Sequence, residues 1–113
     1  MNMKYNHPET ALVTISGPEQ TSWVGDVTIE ITHEGAVVGI IKGQKSVQFE
    51  INQDTRFKAR TINTDFPKLE VIVAALFRCP TVIKLYLVGG SKENAKLVAK
   101  TTYGANYKSR NAK

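Results

Sequence analysis

Apolar and polar residues alternate with a period of two through the middle of this chain, which is the pattern of half-buried β-strands. Val27, Ile29 and Ile31 alternate with Thr28, Glu30 and Thr32. His33-Glu34-Gly35 follows as a turn, with Gly35 free to take a positive φ. Ala36 to Lys42 is apolar on both faces, the pattern of a central strand, and Gly43 to Ser46 breaks it. Val47, Phe49 and Ile51 then alternate with Gln48 and Glu50. Beyond the turn at Asn52-Gln53-Asp54, Phe57, Ala59 and Thr61 alternate with Arg56, Lys58 and Arg60. Strands spaced about ten residues apart and joined by tight turns predict an antiparallel meander.

The flanks add further strands. Leu12, Val13 and Ile15 mark one over Ala11 to Ser16, ended by Gly17-Pro18, and a loop around Trp23 follows. Val82 to Val88 is another, ended by Gly89-Gly90. Two segments are ambiguous. Leu69, Ile72, Val73, Leu76 and Phe77 match a helical face, and Asp65 with Pro67 suits a helix start. The β-branched run Val71-Ile72-Val73 favours a strand over 68–73 instead, with a bend through 74–80. Ser91 to Thr102 reads as a helix capped by Ser91 or as a last hairpin arm from Ala95 to Tyr103.

The sum is all-β, a small antiparallel β-sandwich of about seven strands. The alternative is an α+β fold with one helix, near 66–78 or 91–102, on an antiparallel sheet. Residues 1–103 form a single β-rich domain on this reading, and 104–113, without an apolar pattern, form a flexible basic tail. From Val27 to Thr61 the spacing of Val27, Ile29, Gly35, Val38, Gly39, Ile41, Gly43, Phe49, Ile51 and Ala59 resembles that of small bacterial β-sandwich domains of unassigned function. The Gly-His step before the last strand of that pattern is replaced here by Asp54-Thr55-Arg56. The matching positions are turn and core residues, so the resemblance implies a sandwich and carries no functional residue.

Composition narrows the class. At 113 residues with 42% hydrophobic and 22% charged residues, the chain has enough apolar surface for one core. Its single cysteine, Cys79, excludes an intrachain disulfide. The N-terminal residues lack the apolar stretch of a secretory signal. The longest apolar run, Val71 to Phe77, is far short of the roughly 20 residues a membrane-spanning helix needs. These features lead to the expectation of a cytoplasmic protein without a membrane span, a virion component being the other setting considered.

Catalytic and metal-binding patterns do not emerge. The two histidines, His7 and His33, lie in no motif, and Gly-x-Ser-x-Gly is missing. Gly89-Gly90-Ser91-Lys92 lacks the spacing of a phosphate loop and reads as a strand-ending turn. Cys79, His7 and His33 are scattered, whereas zinc ligands come in closely spaced pairs. Cys79 reads as a small buried hydrophobe beside Phe77, and Glu30 and Glu50 as solvated carboxylates. No cofactor, metal site or catalytic residue is expected.

Charge changes the picture more. Residues 1–90 carry nine Lys/Arg and nine Asp/Glu, so the net charge of +5 belongs to residues 91–113. Within the body, Arg56, Lys58 and Arg60 form a positive stripe, about 6.6 Å apart along one strand face. Glu50 across the hairpin is expected to neutralise part of it. In the C-terminal segment Tyr103 and Tyr107 are interleaved with Lys100, Lys108 and Arg110, the mixture that single-stranded nucleic-acid grooves use. The expectation is a non-enzymatic protein-interaction or structural assembly module, with a protein partner or homo-oligomer. The alternative is an accessory nucleic-acid-binding protein acting through Arg56, Lys58, Arg60, Lys100, Tyr103, Tyr107, Lys108 and Arg110.

Overall fold

The computed structural model describes residues 10–104, and among these residues the chain forms eight strands. They are β1 (Ala11–Ser16), β2 (Thr28–His33), β3 (Ala36–Lys42), β4 (Ser46–Ile51), β5 (Thr55–Thr61), β6 (Glu70–Ala75), β7 (Thr81–Val88) and β8 (Lys96–Tyr103). One four-stranded sheet has the order β4-β1-β7-β8 and the other β3-β2-β5-β6. Among the described residues there is no helix. The α+β alternative is therefore set aside at both places: 66–78 contributes β6, and 91–102 contributes most of β8. That last strand raises the count from the expected seven to eight. Leu97 and the half-buried Ala99 and Thr101 line its inner side, while Lys96, Val98 and Lys100 face out.

Pairing is mostly antiparallel, with one exception. β1 runs parallel to β7, Val13 opposite Thr81 and Ile15 opposite Ile83. The whole of the other sheet lies between these two strands in sequence, so no tight turn forces them to run in opposite directions.

The expected meander is also corrected. β2 and β3 form a hairpin whose two turn residues, Glu34 (φ 53°) and Gly35 (φ 85°), are both left-handed. A two-residue turn with that geometry matches the natural twist of the strands. The chain then leaves the sheet. β4 pairs with β1 in the opposite sheet, and β5 returns to pair with β2, Glu30 opposite Arg60. β3 is thereby left at an edge rather than in the centre where its two apolar faces had suggested. The crossover is tight. A Cβ on Gly17 would lie 2.0 Å from the carbonyl oxygen of Gly43, so only glycine fits there.

The inward faces share one apolar cluster. Val13, Ile15, Ile83 and Leu85 from the first sheet meet Ile29, Ile31, Ala59 and Val73 from the second, with Phe57 and Phe66 among them. Half-buried Trp23 packs against it from the loop between β1 and β2. Burying each such aliphatic side chain contributes about 1.5–3 kcal/mol, and the repeated β-branched residues suit the pleated surface. Thr61, like Thr81, is a buried polar exception. Its hydroxyl donates to the carbonyl of Pro67 (2.7 Å) and accepts from the Leu69 amide (2.9 Å), fastening the β5–β6 connection to the end of β5. Every buried side-chain polar atom among the described residues has a partner.

Candidate functional site

The basic stripe lies where its alternation placed it. Arg56, Lys58 and Arg60 occupy the outward positions of β5, opposite the buried Phe57, Ala59 and Thr61. Its neutralising partners are not the expected one. Glu50 sits on β4 in the other sheet, opposite Leu12 of β1. The carboxylates that reach the stripe are Glu30 on β2, whose Oε1 accepts from Arg60 Nε at 2.8 Å, and Glu70 on β6, 3.7 Å from Lys58 Nζ. Lys58 and Arg60 are thus each matched by an anion from a neighbouring strand, whereas Arg56 stands opposite Ala74. The outer face of β2-β5-β6 is a mosaic of both signs, which offers little to a run of phosphates.

The C-terminal candidates are separated as well. Lys100 points out of β8, directly across from Lys84 of β7. Tyr103 stands at a position of opposite parity, and its hydroxyl donates to the Ala74 carbonyl of β6 at 3.4 Å. It bridges the two sheets at their β6/β8 side rather than joining Lys100. Tyr107, Lys108 and Arg110, with the rest of the expected basic tail, lie outside the described residues. Gly104, the last described residue, donates its amide to the Pro80 carbonyl at 2.7 Å.

The feature that sequence reasoning missed is the β3 edge. Val37, Val38 and Ile40 are 53%, 40% and 44% exposed on a strand whose outer backbone edge has no neighbour. From Ala36 to Ile41 the strand carries neither charge nor proline, the residues that usually blunt an open edge. A bulge at Val38, where Ile31 faces Gly39 and Thr32 faces Val37, is its main irregularity. Gly39 faces inward against β4. A Cβ there would meet Phe49 Cζ at 3.2 Å, so β3 rests closely on β4 at its midpoint.

Towards the start of β3 and the end of β4 the two edges part around an open cleft of about 450 Å³. Val38, Phe49 and Phe57 form its apolar lining, with His33, Glu50 and Gln53 around them. The rings of Phe49 and Phe57 stack at 5.2 Å. His33 tilts against Phe57 with centroids 5.8 Å apart. Its Nδ1 donates to the Arg56 carbonyl at 3.1 Å, which fixes the ring and turns Nε2 towards Glu34 Oε2, 3.8 Å away. An apolar cleft with a few polar groups suits a large side chain entering from the edge.

Elsewhere, Cys79 is buried. Among the described residues no cluster of three His, Cys, Asp or Glu is placed to hold a metal ion. Among the same residues no helix is long and apolar enough to cross a membrane. The chain matches no protein-family model, no curated protein and no solved structure.

Proposed function

We propose that the two sheets form a β-sandwich that works as a non-enzymatic assembly module, two copies of the chain joining edge to edge through β3. The observation that carries this reading is the edge position of β3 with Val37, Val38 and Ile40 exposed and no charge from Ala36 to Ile41. Strand addition draws affinity from main-chain hydrogen bonds and specificity from pockets that receive side chains. The cleft lined by Val38, Phe49 and Phe57 opens beside that edge.

A second copy is the partner the charges favour. Two-fold symmetric pairing sets a strand antiparallel against its own copy, and β3 holds a single charge, Lys42, which meets its own copy only if the axis falls on that residue. The same pairing through β8, centred on Val98, would set Lys96 of one copy opposite Lys100 of the other, twice over. Two-fold dimers are also the commonest closed assembly. The resemblance of residues 27–61 to small bacterial sandwich domains belongs to this same reading.

Light scattering coupled to size-exclusion chromatography, on the full chain over a range of concentrations, tests it. The reading predicts a dimer that Ile40→Lys converts to a monomer with an unchanged far-ultraviolet circular dichroism spectrum. A monomer at every concentration, or a dimer indifferent to both Ile40→Lys and Val37→Lys, overturns it. A heteromeric partner strand on a monomeric chain counts as the former.

A further inference from the structure

We infer that the outer face of β7 and β8 is a binding surface for single-stranded nucleic acid, independent of the β3 edge. The argument starts from register. Lys84 and Lys100 are directly opposite each other across the β7–β8 ladder. Like charges in that position repel and destabilise a sheet, so an arrangement of this kind calls for an anion. Lys96 lies two outward positions along β8 from Lys100, opposite Val88. Tyr86 is opposite Val98, between the Lys84–Lys100 row and the Lys96 row. Tyr86 is 37% exposed, and Lys84 Nζ lies 5.7 Å from its ring centroid. An aromatic ring bracketed by cations on a flat sheet face combines stacking with charge.

Carboxylates do not balance this face as they balance the other one. The outward positions of β7 and β8 hold no acidic residue. Glu19, 4.0 Å from Lys84, is the ion pair found there among the described residues. By contrast Glu30 and Glu70 are interleaved with the cations of β5. The β7–β8 pair therefore presents three outward lysines with no carboxylate on either strand. Single-stranded nucleic acid fits better than a lipid surface. The apolar members of the face, Val82, Val88 and Val98, stand within regular strands beside Thr102 and the lysines, and the β7–β8 connection from Gly89 to Asn94 is polar. Every base offers a π-face to Tyr86, so binding is tolerant of sequence.

The test is fluorescence anisotropy of a labelled oligothymidylate titrated with the full chain between about 50 and 200 mM salt. Lys84→Ala/Lys100→Ala is expected to weaken binding at least tenfold and to make the logarithmic salt slope shallower by about 1.4, two single-strand phosphate contacts. Tyr86→Leu is expected to weaken it about fivefold or more with little change in slope. Arg56→Ala/Lys58→Ala removes the same charge from the opposite sheet and is expected to stay within about twofold of the parent. Absence of binding at the lower salt overturns the inference. Equal losses in the two double variants, or binding that survives Lys84→Ala/Lys100→Ala, also overturn it. So does binding to vesicles containing phosphatidylserine but not to the oligonucleotide.

Discussion

Replacing Thr61 by valine removes one hydroxyl from a side chain that is 2% exposed and leaves its shape almost unchanged. The hydroxyl makes two hydrogen bonds, donating to the Pro67 carbonyl at 2.7 Å and accepting from the Leu69 amide at 2.9 Å. Valine orphans both backbone groups. Leaving a buried group without a partner costs about 1–3 kcal/mol, and Pro67 and Leu69 are half-buried, so water recovers part of it. The expected net loss is about 2 kcal/mol, or a fall in Tm of about 10 °C for a domain of this size. Serine supplies the contrast, since it keeps both hydrogen bonds and loses one methyl group, about 1 kcal/mol. Urea unfolding at one fixed protein concentration, so that association does not enter, measures both variants. Thr61→Val must be the less stable of the two. A Thr61→Val protein as stable as the parent, or more stable than Thr61→Ser, would refute the view that this hydroxyl holds the β5–β6 connection.

Gly17→Ala would place a Cβ 2.0 Å from Gly43 O and 2.7 Å from Ile41 Cγ2, so it should cost about 1–3 kcal/mol or more in urea unfolding. Gly25→Ala, whose Cβ meets nothing within 4 Å, should stay within about 0.5 kcal/mol of the parent in the same assay. Glu30→Gln removes the negative charge from the 2.8 Å contact with Arg60 Nε while leaving an oxygen able to accept, and the Arg60 side chain is 48% exposed. The loss should be under about 1 kcal/mol and should shrink as salt is added, which thermal melts at two ionic strengths will read.

Local alternation was enough to find most strands, because one face of each is buried. β5 is the plainest case: Phe57, Ala59 and Thr61 are buried and Arg56, Lys58 and Arg60 are not, as their order along the chain implied. Where a short segment is rich in apolar residues, periodicity alone did not choose between helix and strand, and the neighbours decided. Val73 and Ala75 in β6 are buried against the common core, and β8 completes the ladder of β7. What local pattern could not carry was pairing between distant segments. β3 looked central because valine and isoleucine occupy both of its faces, yet the departure of β4 to the other sheet leaves it at an edge. The same departure moved Glu50 away from the basic stripe and left Glu30 and Glu70 to balance it. The lysine pair on β7 and β8 was hidden for a related reason. Lys96 and Lys100 had been grouped with the C-terminal charges, whereas the ladder sets Lys100 beside Lys84. Outward alternation of Val82, Lys84, Tyr86 and Val88 was the signal that could have exposed it.

Amide hydrogen exchange over residues 36–42, followed as protein concentration rises, tests edge-to-edge association most directly. An edge strand leaves alternate amides without a partner in the isolated chain, and pairing with a second β3 supplies one. The account predicts that these amides exchange freely in dilute solution and gain protection with increasing concentration, while those of β8 stay unchanged. Exchange at β3 that is equally fast at every concentration, or protection that grows at β8 instead, would contradict it.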